Sequence, residues 1–384
     1  MPHFAELLNE LQVARCSTRE EFDMDHERHI IPWTHSVLMM LILLVNTGIA
    51  RALPLGLPQA GILGEATETD ATVRLGKQLF FDSGLSADRT VSCATCHQPE
   101  HAFSDARTVS QGIRHQKGAR NTPGLLNVVF NAEFTWDGRQ PTLEAQALEP
   151  ILNPREQGLR NEAELVERIR RNPNYVIEFR RAFSLTSASI TPADIGRAIA
   201  AYERTLISAD SPLDRFLYGG DTKALSASAQ RGLGLFRGAA RCATCHSVGD
   251  DYALFTDNSY HTVSVGMRDV GPKLSELTAR VVKYHQEGIK IDRMLRSDPS
   301  ISELGRFVVT LDPKDIGKFR TPSLRNVALT APYMHNGSVA TLSEAVEREL
   351  YDHAGELPIP LILTPQEKED LVNFLEALTG KQSR

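Results

Sequence analysis

Cys93-Ala94-Thr95-Cys96-His97 and Cys242-Ala243-Thr244-Cys245-His246 are the same pentapeptide, met twice in one chain. Cys-x-x-Cys-His attaches a c-type haem: the two thiols add to the vinyl groups and the histidine becomes an axial ligand of the iron. Four cysteines in two pairs could instead hold zinc, and a single pair could be a dithiol switch. Neither rival needs a histidine directly after the second cysteine in both copies, and the βαβ pattern that accompanies dithiol switches is missing. The expected cofactors are therefore two covalently bound haem c groups. Cys93, Cys96, Cys242 and Cys245 would attach them, with His97 and His246 on the irons.

Moving outward, the surroundings of the two motifs match. Gly76-Lys77-Gln78-Leu79-Phe80 precedes the first, and Gly232-Leu233-Gly234-Leu235-Phe236 precedes the second. Farther on, Ile190-Thr191-Pro192-Ala193-Asp194 answers to Leu363-Thr364-Pro365-Gln366-Glu367. In each, Thr suits an N-cap, Pro the first helical position, and the acid the first turn. Helical spacing continues through Ile195, Ile199, Tyr202 and Leu206, and through Leu371, Phe374, Leu375 and Leu378. Few period-2 stretches occur. The pattern predicts a mainly α protein of two tandem cytochrome c-like domains, 53–207 and 208–384, with the boundary among the Asp, Ser, Pro and Gly of residues 208–223. The amphipathic segment 273–295 reads as packing.

The chain has 384 residues, 41% of them hydrophobic, and a formal net charge of −6, which is ample for two domains and offers no basic field for nucleic acid. Residues 37–45 are an apolar run too short to span a bilayer comfortably, and Ala50-Arg51-Ala52 is a small-x-small cleavage pattern. Residues 1–52 thus read as a leader with a signal peptide directing export to the periplasm, a membrane anchor being the alternative. Its long acidic start suggests that 1–23 is an over-extended beginning. Cys16 lies in that leader, so every other cysteine is committed to haem and no disulfide framework is expected.

Between and after the haem motifs stand Arg120-Asn121-Thr122-Pro123, Phe134-Thr135-Trp136-Asp137-Gly138-Arg139, Gln146-Ala147-Leu148-Glu149-Pro150, and a long string from Phe319 through Arg320-Thr321-Pro322-Ser323-Leu324-Arg325-Asn326 to Pro332-Tyr333-Met334-His335-Asn336-Gly337. From about residue 70 onward the chain resembles the bacterial di-haem cytochrome c peroxidase family, including its MauG-like branch. The resemblance implies that the His97 haem reacts with hydrogen peroxide. Gln146, Pro150 and Glu156, in the family's Gln-x-x-x-Pro-x5-Glu spacing, would line its distal side, with Glu156 as the acid–base group. The family usually has Met after that Glu; this chain has Gln157. Where some relatives carry a blocking histidine this chain has Ile113, and His115 two residues later reads as a loop histidine, which favours an iron open in the oxidised state. Trp136 resembles the indole that relatives hold between the haems as an electron relay. Asn121, with the carbonyls of Thr330 and Pro332, matches a family calcium site.

The second axial ligand at the His246 iron separates the branches of the family: Met in ordinary peroxidases, Tyr in the MauG-like enzymes, fourteen residues past the histidine of a Pro-Tyr-x-His motif, in this chain His335. Here that position is Glu349, and Tyr351 lies two beyond. Tyr351 is the expected ligand, with Met267, Met294 or an open site as alternatives. The resulting expectation is an exported peroxidase reducing hydrogen peroxide with electrons from a small cytochrome c or cupredoxin. Two other readings stand beside it: a MauG-like oxidant of a partner protein, and a non-enzymatic electron carrier. The surface tryptophan by which the MauG-like enzyme exports holes is replaced by Ala240 and Arg241. The resemblance also implies a homodimer, although no sequence feature marks an interface.

Overall fold

The computed structural model describes residues 54–58, 69–353 and 361–382; the leader lies outside them. Its first helix, α1 (Asp70–Phe81), starts where the Thr69 hydroxyl accepts a hydrogen bond from the Thr72 amide. The first haem motif forms the single turn α2 (Cys93–Cys96). Then come α3 (Leu143–Leu152), α4 (Glu162–Arg170), α5 (Pro173–Phe183) and α6 (Pro192–Arg204). The next elements are β1 (Ser208–Ala209), α7 (Pro212–Leu217) and α8 (Ala227–Arg237). After the second haem motif follow β2 (Tyr260–Thr262), α9 (Met267–Val270), α10 (Leu274–Gln286), α11 (Ile291–Ser297), α12 (Phe307–Thr310) and β3 (Lys318–Arg320). The chain closes with α13 (Leu342–His353), α14 (Pro365–Glu376) and β4 (Lys381–Gln382). The described strands form two antiparallel pairs, β1 with β4 and β2 with β3, so the protein is mainly α-helical as the patterning predicts.

Matched sequence produces matched packing. α1 lies against α6 so closely that a Cβ on Gly76 would sit 1.8 Å from the Ala198 carbonyl oxygen; on Gly232 of α8 it would sit 2.0 Å from that of Asp370 in α14. Only a residue without a side chain permits either approach. One turn later Phe80 and Phe236 are buried, Phe80 edge-on to Tyr202 at 5.2 Å and Phe236 beside Phe374 at 4.8 Å. Both closing helices begin with the expected Thr and acid as reciprocal caps, Thr191 with Asp194 and Thr364 with Glu367.

Four apolar clusters result among the described residues: one around Leu75, Phe80 and Ile199, one around Phe236, Phe255 and Phe374, one around Val281, Met294 and Ile301, and a small one of Leu57, Ile207 and Ala209. The third takes Leu277, Val281, Met294 and Leu295 from the segment read as packing and extends beyond it to Ile301, Leu304, Phe307 and Val308. Hydrogen bonds cross the seam between the two motif-bearing halves in both directions, beside the small apolar cluster of Leu57, Ile207 and Ala209. The Asn121 amide donates to the His335 carbonyl and the Arg320 amide to the Trp136 carbonyl, each at 2.9 Å. Ser208 joins both sides, its amide donating to Asn127 Oδ1 at 2.9 Å and its hydroxyl lying 3.0 Å from Asn326 Oδ1.

Candidate functional site

The first centre starts from a short helical turn. α2 sets both thiols on one side, and its peptide direction carries His97 to where Nδ1 lies 2.8 Å from the Phe103 carbonyl oxygen. A carbonyl can only accept, so the ring proton sits on Nδ1 and Nε2 keeps its lone pair for a metal. Burial lowers the His97 pKa and keeps the ring neutral. The second motif repeats the device: His246 Nδ1 is 2.9 Å from the Phe255 carbonyl, with its pKa also lowered by burial. None of the four motif cysteines is in a disulfide, and burial raises Cys93, Cys96 and Cys242 to about 12, so these thiols are protonated at neutral pH.

Beside His97 opens a cavity lined by both thiols together with Trp136, Gln146, Pro150 and Glu156. Gln146 and Pro150 are one helical turn apart on α3, and proline's missing amide leaves the Gln146 carbonyl without its helical partner. Glu156 is brought in by a tight loop: its amide donates to the Asn153 carbonyl at 2.9 Å, and Asn153 Nδ2 donates to its Oε1 at 2.7 Å. Burial first, and then the Glu149 charge, raise the Glu156 pKa to about 7, against Arg139, the Asn153 bond and Arg296. Arg139 is itself committed to Asp137 and Glu149, at 2.9 and 2.6 Å. Glu156 therefore holds or releases a proton near neutrality.

The cavity chemistry fits a haem. Gln146 Oε1 and Glu203 Oε2 are buried there without a hydrogen-bond partner, beside a histidine lone pair and two thiols. Glu203 was not foreseen from sequence. Burial raises its pKa to about 8, so it is uncharged at neutral pH. Its signal was an acid beside Tyr202, next to the apolar positions of the closing helix. Gln157 is buried and turns Nε2 toward Cys93 Sγ at 3.6 Å. Ile113 is buried and its amide donates to the Glu156 carbonyl at 2.8 Å, whereas His115 is exposed and pairs with Gln111.

Trp136 borders the same cavity, its Nε1 donating to the Asn121 carbonyl at 2.9 Å. Asn121 Nδ2 is taken up by the carbonyls of Arg107 and Thr108, at 2.9 and 3.4 Å, which leaves Oδ1 as its remaining acceptor. Thr330 lies near Asn121's segment, its methyl 3.4 Å from a Cβ built on Gly124, and the Ala331–Pro332 peptide is cis. Among the described residues, the cluster able to grip a metal through His, Cys and acid atoms is instead Cys245, Asp257 and His261, and Cys245 belongs to the second Cys-x-x-Cys-His motif.

At the second centre, Tyr351 on α13 is 64% exposed. The α13 acid whose charge reaches His246 and Cys242 is Glu349. Met294 is fully buried in the third apolar cluster, and Met267 packs against that cluster.

The sequence profile of the di-haem cytochrome c peroxidases matches residues 70–223. Cytochrome-c peroxidase IdrP1 of Denitromonas iodatirespirans is 38% identical over 348 residues, which cover 86% of this chain and 88% of that protein. Methylamine utilization protein MauG of Methylorubrum extorquens is 36% identical over 320 residues, covering 82% and 79%. Among solved structures, the chain is similar to a MauG-like protein associated with microbial copper homeostasis, with a TM-score of 0.65, 33% identity, and coverage of 85% of this chain and 93% of that one. The diheme peroxidase BthA from Burkholderia thailandensis aligns with a TM-score of 0.62 at 25% identity, covering 82% and 87%.

Proposed function

Because the chain belongs to the bacterial di-haem cytochrome c peroxidase and MauG-like family, we propose that it is an exported two-haem peroxidase. It reduces hydrogen peroxide to water with two electrons, delivered singly by a small redox protein such as a cytochrome c or a cupredoxin. The observation that carries this reading is Glu156: an acid poised near neutrality, in a cavity it shares with Gln146 and His97.

The haem, when bound through Cys93 and Cys96 with His97 on its iron, supplies the open coordination position and the redox chemistry. Glu156 takes the proton from the near peroxide oxygen and returns it to the departing one, so that water rather than hydroxide leaves. Gln146 Oε1 holds peroxide or water by accepting a hydrogen bond, and Pro150 keeps that wall free of a competing amide. Trp136, hydrogen-bonded at the seam, is the relay between the centres.

In this reading 53–207 and 208–384 are the two cytochrome c-like domains, the second carrying its haem on Cys242, Cys245 and His246. The further ligand at that iron comes from α13. Tyr351 is the sequence's choice, and Glu349 is the residue whose charge reaches His246. Replacing each in turn (Tyr351→Phe, Glu349→Gln) and recording optical and EPR spectra decides between them. Asn121 Oδ1 with the Thr330 and Pro332 carbonyls forms the calcium site, water completing the shell. The leader directs export to the periplasm, and the protein pairs as a homodimer.

The decisive test mixes the fully oxidised holoprotein rapidly with one equivalent of hydrogen peroxide, followed optically and by EPR. Fast two-electron oxidation establishes an open first iron. Reaction only after one-electron reduction shows a blocked iron and an ordinary, reductively activated peroxidase. No reaction in either state leaves an electron carrier. The MauG-like alternative, oxidation of a partner protein, is favoured by the absence of Met near the fourteen-residue position and opposed by Ala240 and Arg241 at the hole exit.

A further inference from the structure

The segment between β2 and β3 builds its own small core and then reaches across the seam. α11 is anchored by Met294, which is fully buried between α10 and the turn around Ile301. Its other residues, Asp292, Leu295 and Arg296, line the cavity beside His97, which the first half otherwise builds with the seam's Arg320. Arg155, next to Glu156, donates from Nη2 to the Arg296 carbonyl at 2.7 Å and so ties the helix to the loop that carries the acid. A second tie runs from Arg120 Nη2 to the Ser302 carbonyl at 2.8 Å. The Arg296 guanidinium is paired with Asp292 one turn back, which holds both long side chains in one place. Arg296 is also the α11 cation whose charge is felt at Glu156.

We infer that α11 roofs the peroxide cavity, and that Leu295 and the Arg296–Asp292 pair determine which oxidants reach the first centre, admitting hydrogen peroxide and rejecting bulky organic hydroperoxides. A second-half segment thus sets the specificity of the first-half centre. Leu295 supplies an apolar wall to the cavity that Gln146 and Glu156 also line. The ion pair supplies a polar edge that a two-oxygen molecule passes and an alkyl or aryl group does not. The inference rests on the cavity of the preceding section being the oxidant site.

The test reads access apart from turnover. Cyanide and the larger imidazole are bound to the ferric first haem of the holoprotein, with the second haem as an internal spectral reference. The variants are Leu295→Ala, Arg296→Ala and Arg296→Lys. The two alanine variants are expected to raise the imidazole-to-cyanide on-rate ratio by roughly tenfold, and to raise the cumene-hydroperoxide-to-hydrogen-peroxide rate ratio in parallel. Arg296→Lys, which keeps the ion pair, should hold both ratios within about twofold of the parent. Loss of stability alone would change yield or melting temperature and leave both ratios in place. Unchanged ratios in a protein that binds cyanide overturn the roof and leave the peroxidase reading standing. Failure of every variant and the parent to bind either ligand or to react with peroxide overturns both.

Discussion

Glu156 owes its chemistry to a few neighbours. A carboxyl drawn out of water beside Glu149, with Arg139 already spent on Asp137 and Glu149, keeps its proton up to about pH 7. Below that value the acid is protonated and cannot accept the peroxide proton; above it the carboxylate can. The rate of peroxide reaction should therefore rise through about pH 7, and stopped-flow profiles of the parent and Glu156→Gln should separate there. The variant should retain both haems while reacting about a hundredfold more slowly, and undiminished turnover would remove Glu156 from the chemistry. The sequence made Glu156 legible only as the last member of a spacing; the cause of its tuning is spatial. Glu203 shows the converse, since no spacing marks it and burial alone makes it notable.

Helix pairs carry the next level. The crossings of α1 with α6 and of α8 with α14 each depend on one glycine, because a methyl group would collide with a main-chain carbonyl that cannot move without its helix. Gly76→Ala should cost about 1–3 kcal/mol by overpacking. Gly234 is on the same helix as Gly232 but meets nothing within 4 Å, so Gly234→Ala should be neutral or stabilise by up to about 1 kcal/mol through helix propensity. Thermal denaturation of the two holoproteins checks the contrast, and equal losses would refute the close-crossing argument. These pairs were readable in advance: Gly, then an aromatic one turn on, then a capped closing helix, appears twice in the chain. The segment 273–295 was readable only as amphipathic. That its extension into α11 roofs a cavity in the other half depends on the path of the chain, which periodicity does not encode.

Across the whole molecule the halves are held by polar contacts made in both directions. Asn127 and Asn326, both in left-handed conformation at φ of 63° and 61°, meet at Ser208. Close to this seam Arg325 binds Asp214 through two nitrogens at 2.9 and 2.8 Å, both side chains almost wholly buried. Asp214→Asn would leave the guanidinium buried without its counter-charge and should destabilise the holoprotein by about 3–5 kcal/mol, seen as a lower denaturant midpoint; a change below about 1 kcal/mol would show the pair to be dispensable. The haem-attachment motifs, the repeated helix signals and the Gln-Pro-Glu spacing were determined by the sequence itself, because each is a local pattern of residue types whose chemistry is set by short separations along the chain. The neutral His97 and His246 tautomers, the tuning of Glu156, the exposure of Tyr351 and the roof over the first cavity were decided by tertiary structure alone. Each depends on which carbonyls, charges and apolar walls arrive from residues far away in the chain, and burial and direction exist only once those residues have met.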